Sequence, residues 1–143
     1  MIRFHVFYNP FVTAANTLQP LVLLTLRLWI AVLFFKSGLV KIEDFSTAVA
    51  LFADEYQVPL LPPYLAALSA ATFELVCPLL LAFGLLTRLA CLPLLAMTAI
   101  IQFTYLEHIQ HAYWAMLLLV ILTHGAGPWS LDYVLSRRTH PAP

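Results

Sequence analysis

Between Pro20 and Val40 the chain reads PLVLLTLRLWIAVLFFKSGLV, a run interrupted only by Arg27 until Lys36 near its end. A membrane helix needs about 20 predominantly apolar residues, so this run is one span. Three more apolar runs follow, at about residues 64–86, 89–105 and 109–124. In 143 residues, four spans and short loops leave room for little else. The composition agrees: 62% of residues are apolar and 10% charged, against ~45–50% and ~25% in soluble domains. Mean hydropathy is +0.89. A soluble globular, disordered, collagenous or disulfide-rich chain is excluded. Seven basic residues balance seven acidic ones, so bulk charge gives no footing for nucleic acid. The expectation is an all-α integral membrane four-helix bundle, one domain over residues 1–143.

The segments outside the spans have their own patterns. In residues 1–19, Arg3, His5, Asn9 and Pro10 interrupt the apolar run. That argues against a cleaved signal peptide. Phe4, Phe7, Tyr8 and Phe11 suit a segment lying in the membrane interface. The first outer loop carries Glu43, Asp44, Asp54 and Glu55. Within it Phe45, Val49, Phe52 and Tyr56 recur at helical spacing, predicting a short amphipathic helix. Gly125 to Pro128 stop the fourth span, and Ser130 is placed to cap a short tail helix. Arg3, Arg88, Arg137 and Arg138 gather on one side, Lys36 and Lys41 on the other. The positive-inside rule then places both termini, and the tail 129–143, in the cytoplasm. Cys77 and Cys91 fall in neighbouring spans at different depths and read as core thiols.

Ionisable residues inside a span mark a functional site by default, and Arg27 and Glu74 are the two. Arg27 lies thirteen residues from Val40, and Glu74 ten from Tyr64. If the outer ends of the two spans are level, the offset is about 4.5 Å. An arginine side chain covers that distance, so an Arg27–Glu74 pair is expected, either as a structural ion pair or as part of a ligand or proton path. Ala67, Ala70 and Ala71 share the Glu74 face and permit close helix approach. Pro78 frees the Glu74 carbonyl and predicts a kink. Lys36 lies nine residues after Arg27, on the opposite face, whereas Lys41 returns to the Arg27 face if the helix continues. Lys36 either snorkels to the interface or meets a ligand.

Glu107, His108 and His111 lie at the outer start of the fourth span, between Tyr105 and Tyr113. His108 and His111 share a face if the turn is helical. Such a set could hold copper or zinc, hydrogen-bond a quinone carbonyl, relay protons, or sit in an interfacial belt. His124 is placed to cap the C-terminus of the fourth helix. No haem, flavin or nucleotide motif is present in the sequence.

Four stretches together resemble the DoxX family of small four-helix inner-membrane proteins. They are LRLWIAVLFFKSGLVKIEDF (Leu26–Phe45), FELVCPLLLAFGLLTRLACLPL (Phe73–Leu94), His111–Trp114, and GAGPWSLDYVL (Gly125–Leu135). Pro78 and Trp129 depart from the pattern. Arg27, Lys36, Glu74, Arg88, Ser130 and Asp132 match it. The resemblance implies a multi-pass protein of the bacterial inner (plasma) membrane. It implies association with quinone-linked oxidoreductases, with oxidative-stress complexes, or with systems that make metal-binding peptides.

Three functional expectations follow. The first is a membrane subunit of a redox system linked to quinone or oxidative stress, with Lys36, Tyr56, His108 and His111 as ligand-binding candidates and Arg27 and Glu74 tuning charge or moving a proton. The second is a non-catalytic membrane anchor for an enzyme or metal-peptide system. The third is a protein handling a metal or small solute through Glu107, His108 and His111. The cofactor expected first is a quinone, with copper or zinc behind it. The partners expected are the lipid bilayer and either another protein or a second copy of the chain.

Overall fold

The structure, a computed structural model, describes residues 2–58, 60–104 and 109–139. The described residues are helical apart from short turns, with no strand among them. Helix α1 spans Ile2–Glu43 and α2 spans Phe45–Leu51, running directly into a π-helical turn at Phe52–Tyr56. Helices α3 (Pro63–Phe83), α4 (Thr87–Thr104) and α5 (Ile109–His124) follow, and α6 (Leu131–Thr139) forms the tail. Helix α1 packs chiefly on α3, α3 on α4, α4 on α5, and α5 back on α1. The four long helices therefore close into a ring around an apolar core of Ile30, Phe34, Leu81, Cys91, Leu94, Leu118 and Ile121. Cys77 and Cys91 are buried free thiols of that core. This is the four-helix bundle, with outer amphipathic helix and tail helix, that the apolar runs imply.

Helix α1 differs from the expectation of a separate segment before Pro20. It is continuous for 42 residues, with Pro10 and Pro20 inside it. At ~1.5 Å per residue it is about 63 Å long, twice the ~30 Å hydrocarbon core. Residues 11–19 are exposed apart from the half-buried Val12, so this part reaches past the bundle. Its threonine hydroxyls bond back one turn, as Thr17 Oγ1 does to the Thr13 carbonyl at 2.8 Å. Helices Pro10–Glu43 and Pro63–Phe83 are long and apolar enough to cross a bilayer, whereas α4 and α5 are shorter apolar helices.

The pairing of α1 with α3 sets everything that follows. A Cβ added at Gly38 would lie 3.0 Å from the Glu74 Cβ. Eleven residues back along α1, Arg27 lies against Gly84 at the other end of α3. The end of α1 and the start of α3 are thus not level: α3 begins well beyond the end of α1. Its first turns are covered instead by α2 and the π-helical turn, where Phe52 packs on Ala66, Ala67 and Ala70. Phe45 meets Tyr64 edge-to-face, with ring centres 5.6 Å apart. The side chain of Asp44 caps α2, accepting from the Thr47 N–H at 3.0 Å. Bonds from Thr47 and Ser46 hold its carboxyl at a pKa of about 2.

Candidate functional site

The staggered register places two polar centres at opposite ends of the bundle. At the end that carries the tail helix, Arg27 is 1% exposed. Its guanidinium does not meet Glu74. It donates to the carbonyls of Ala126 at 2.6 Å and Trp129 at 2.8 Å, in the turn after α5. Gly84 makes room for it. Its left-handed φ of 66° ends α3, and a Cβ there would collide with Arg27 Nη1 and Ser130. The Gly84 carbonyl accepts from the Asp132 N–H at 2.9 Å. The Asp132 carboxylate in turn accepts from the N–H groups of Leu86 (2.8 Å) and Thr87 (3.0 Å), capping α4. Ser130 Oγ accepts from the Tyr133 N–H at 3.2 Å, the N-cap of the tail helix. Arg88 donates to the Thr123 carbonyl at 3.2 Å. His124 Nδ1 lies 3.1 Å from the Val120 carbonyl, the helix-end contact expected of it. Arg27, Arg88, Ser130 and Asp132 thus form one latch holding the closing turn onto α1, α3 and α4.

Towards the opposite end, Glu74 is 2% exposed. Its partner is Lys41, whose Nζ lies 2.7 Å from Glu74 Oε2. The same ammonium donates to Ser37 Oγ at 2.9 Å. The expected Arg27–Glu74 pair is therefore replaced by Lys41–Glu74. The reason is the stagger: Glu74 faces Gly38, three residues before Lys41 and eleven after Arg27, a separation from Arg27 of about 16 Å along the axis. An arginine side chain does not span that.

This pair has open space around it. A cavity of about 340 Å³ extends inward from it. Ser37, Lys41, Tyr56, Glu74, Thr98 and His111 supply polar groups, and Leu33, Phe34, Met97, Ile101 and Trp114 the apolar wall. Trp114 stands edge-to-face against both His111 (5.1 Å) and Phe34 (6.0 Å). A second cavity, of about 180 Å³ and almost wholly apolar, lies between α3 and α4 and shares Lys41, Tyr56, Glu74, Met97 and Ile101 with the first. A third, of about 460 Å³, opens at the junction of α1 and α2, with Ser37, Asp44 and Thr47 on its polar side. Lys41 and Tyr56 line all three.

Of the sequence candidates, the chamber gathers Glu74, Tyr56 and His111. Lys36 is not among them: it lies exposed on the opposite face of α1. Arg27 belongs to the latch. Glu107 and His108 lie outside the described residues. Among the described residues no three metal-ligating side chains cluster. The residue that sequence reasoning left out of the site is Lys41. Its signal was present: it is fourteen residues from Arg27, four turns on, and α1 continues through it to Glu43.

Two comparisons bear on this geometry. The DoxX family model matches residues 22–107, from the buried half of α1 through α4. The chain belongs to the DoxX family. The match includes Arg27, Lys41, Glu74 and Arg88, two members of each polar centre. This DoxX protein is also 31% identical over 129 residues to an uncharacterized protein of Haemophilus influenzae, covering 80% of this chain and 83% of the relative. No solved structure matches it. Family membership and apolar helices together make it a membrane protein.

Proposed function

We propose that this protein is a membrane-embedded subunit of a redox system that holds the head group of a quinone in the chamber around Lys41 and Glu74. The observation that carries this reading is a buried carboxylate paired with a half-buried lysine, bordered by a cavity with polar groups on one side and aromatic and aliphatic walls on the other. Ligand pockets of ~300–1,000 Å³ are lined in this way, with few polar groups fixing orientation, and the 340 Å³ cavity falls in that range. The residues fit a flat ring with two carbonyl oxygens. Lys41 has ammonium hydrogens to donate and Tyr56 a hydroxyl, while Phe34, Met97, Ile101 and Trp114 offer the faces against which a ring packs. A quinone supplies carriage of electrons and protons within the bilayer. Glu74 holds Lys41 in place, and the ammonium gives any carbonyl oxygen beside it a positive partner. The cavity past Ser37, Asp44 and Thr47 gives Lys41 a polar path towards the end of the bundle, by which protons exchange with water.

The reading includes four crossings by α1, α3, α4 and α5 of the inner (plasma) membrane, with both termini on the cytoplasmic side. The latch then lies at the cytoplasmic face and the chamber at the outer one. The α4 and α5 lengths, about 27 and 24 Å, are on the short side of the hydrocarbon thickness. The test is organic extraction of gently purified protein, with mass spectrometry for quinones and elemental analysis of the same sample. About one quinone per chain is expected, lost in Lys41→Met. Neither quinone nor metal bound would overturn the reading. Copper or zinc bound in its place would move the site to His111, with Glu107 and His108 as the remaining ligands.

One observation favours the second reading, a membrane anchor for another protein. The N-terminal part of α1 stands clear of the bundle with Phe11 and Leu18 exposed. A partner bound there would be released by deleting residues 2–19, while quinone content would stay unchanged.

A further inference from the structure

A head group alone does not account for the space beside Glu74. The smaller cavity is apolar almost throughout and adjoins the head-group chamber, with Lys41, Glu74, Tyr56, Met97 and Ile101 in the wall of both. It runs outward between α3 and α4, past Phe73, which is 42% exposed, and Ala96, which is also exposed. Ser69 and Ala70 on α3 and Pro93 and Ala96 on α4 give it width, because none of them fills the space between the two helices. Two neighbouring membrane helices with small residues at their contact normally approach closely. Here the small residues border a gap. The third cavity, at the α1–α2 junction, has Asp44 and Thr47 on its wall and is unsuited to a hydrocarbon chain.

We propose that the ligand is an amphiphile whose apolar chain leaves the chamber sideways, through the groove between α3 and α4, into the bilayer. This rests on the head-group reading above. It assigns the groove to one occupant, the hydrocarbon tail of a lipid-soluble quinone, because the groove starts at the ion pair and ends among lipid-facing side chains. The groove sets which ligands fit. A ring carrying a tail takes this route, and Ala96 stands at its outer edge, where a larger side chain closes it from the lipid side without entering the core.

The experiment uses the full chain in nanodiscs and two probes: a methoxylated benzoquinone with a decyl chain, and the same ring with a methyl group in its place. Binding is measured by calorimetry on wild type, Ala96→Trp and Leu92→Trp. Leu92 is exposed one turn away on α4 and does not line the groove. Ala96→Trp is expected to weaken the decyl compound about tenfold, a difference well resolved by Kd, and to leave the methyl compound unchanged. Leu92→Trp is expected to change neither. If Ala96→Trp changes neither compound, the tail does not use this groove and the proposal falls while the head-group reading stands. If wild type binds neither compound, both readings fall. If a stoichiometric phospholipid copurifies and neither probe displaces it, the groove belongs to a structural lipid and the proposal is overturned.

Discussion

Arg27, buried, and Lys41, half-buried, lie on one helix and are treated in opposite ways. Arg27 is enclosed by backbone: two carbonyls of the closing turn take its hydrogens, and Gly84 is shaped around it. Lys41 is held by one carboxylate and one hydroxyl, and three cavities meet at it. A guanidinium suits the first task because its fixed fork of donors meets several acceptors at once. An ammonium on a flexible stem suits the second, since it can move within its chamber without dismantling a turn. A charged side chain in a membrane bundle is thus not by itself the mark of a site. What separates the two is whether its partners are main-chain groups that fix the fold or side chains beside empty space.

That contrast predicts a hierarchy of effects. The largest falls on the latch. Arg27→Met leaves two carbonyls without their donors, at ~1–3 kcal/mol for each buried group. A loss of about 3 kcal/mol or more in unfolding free energy is expected, read as a fall in the denaturation midpoint in detergent, with loss of fold accompanying any loss of ligand. The double change Lys41→Met with Glu74→Leu is expected to do the reverse. Replacing a buried ion pair by apolar residues is often neutral or stabilising, so stability should stay within about 1 kcal/mol of wild type while quinone content disappears. Should the double variant unfold as readily as Arg27→Met, the distinction between the two centres would be lost.

The smallest effect concerns Asp44, beside the polar mouth of the chamber. Its folded pKa, about 2, lies below the ordinary value of 3.8. Its contribution is therefore fully present above pH 4 and is lost as pH falls through 2. The protection of the α2 amides, taken relative to intrinsic exchange at each pH, should fall over that window in wild type, and the step should be absent in Asp44→Asn. Protection factors across α2 that are the same at pH 5 and pH 2 would show that the cap does not hold it.

Much of the architecture is legible in the sequence, since four apolar runs, two of them of bilayer length, leave few alternatives to a helical bundle. The tail helix follows from Ser130 and the outer helix from Phe45, Val49, Phe52 and Tyr56. The ion pair is another matter. Glu74 was identifiable as a buried carboxylate, but naming its partner requires the register of α1 against α3. Hydropathy gives the ends of spans, not how far one helix overshoots another. Here α3 overshoots because α2 and the π-helical turn fold back to cover Ala66, Ala67 and Ala70, a tertiary arrangement with no counterpart in the local pattern of α3. The unbroken α1 has the same character. Pro10 and Pro20 signal a boundary, yet membrane helices tolerate proline. The gathering of His111, Tyr56 and Lys41, from three elements far apart in sequence, is visible only once the ring has closed.

The latch also orders events during synthesis. Arg27 and the Ala126 carbonyl are 99 positions apart. At ~5–20 residues per second, the first membrane helix leaves the ribosome roughly 5 to 20 s before the acceptors of its arginine exist. For that interval the guanidinium has no native partner among the residues already made. It must wait at the insertion machinery or at the lipid headgroups, and the bundle can lock only after its last turn has emerged.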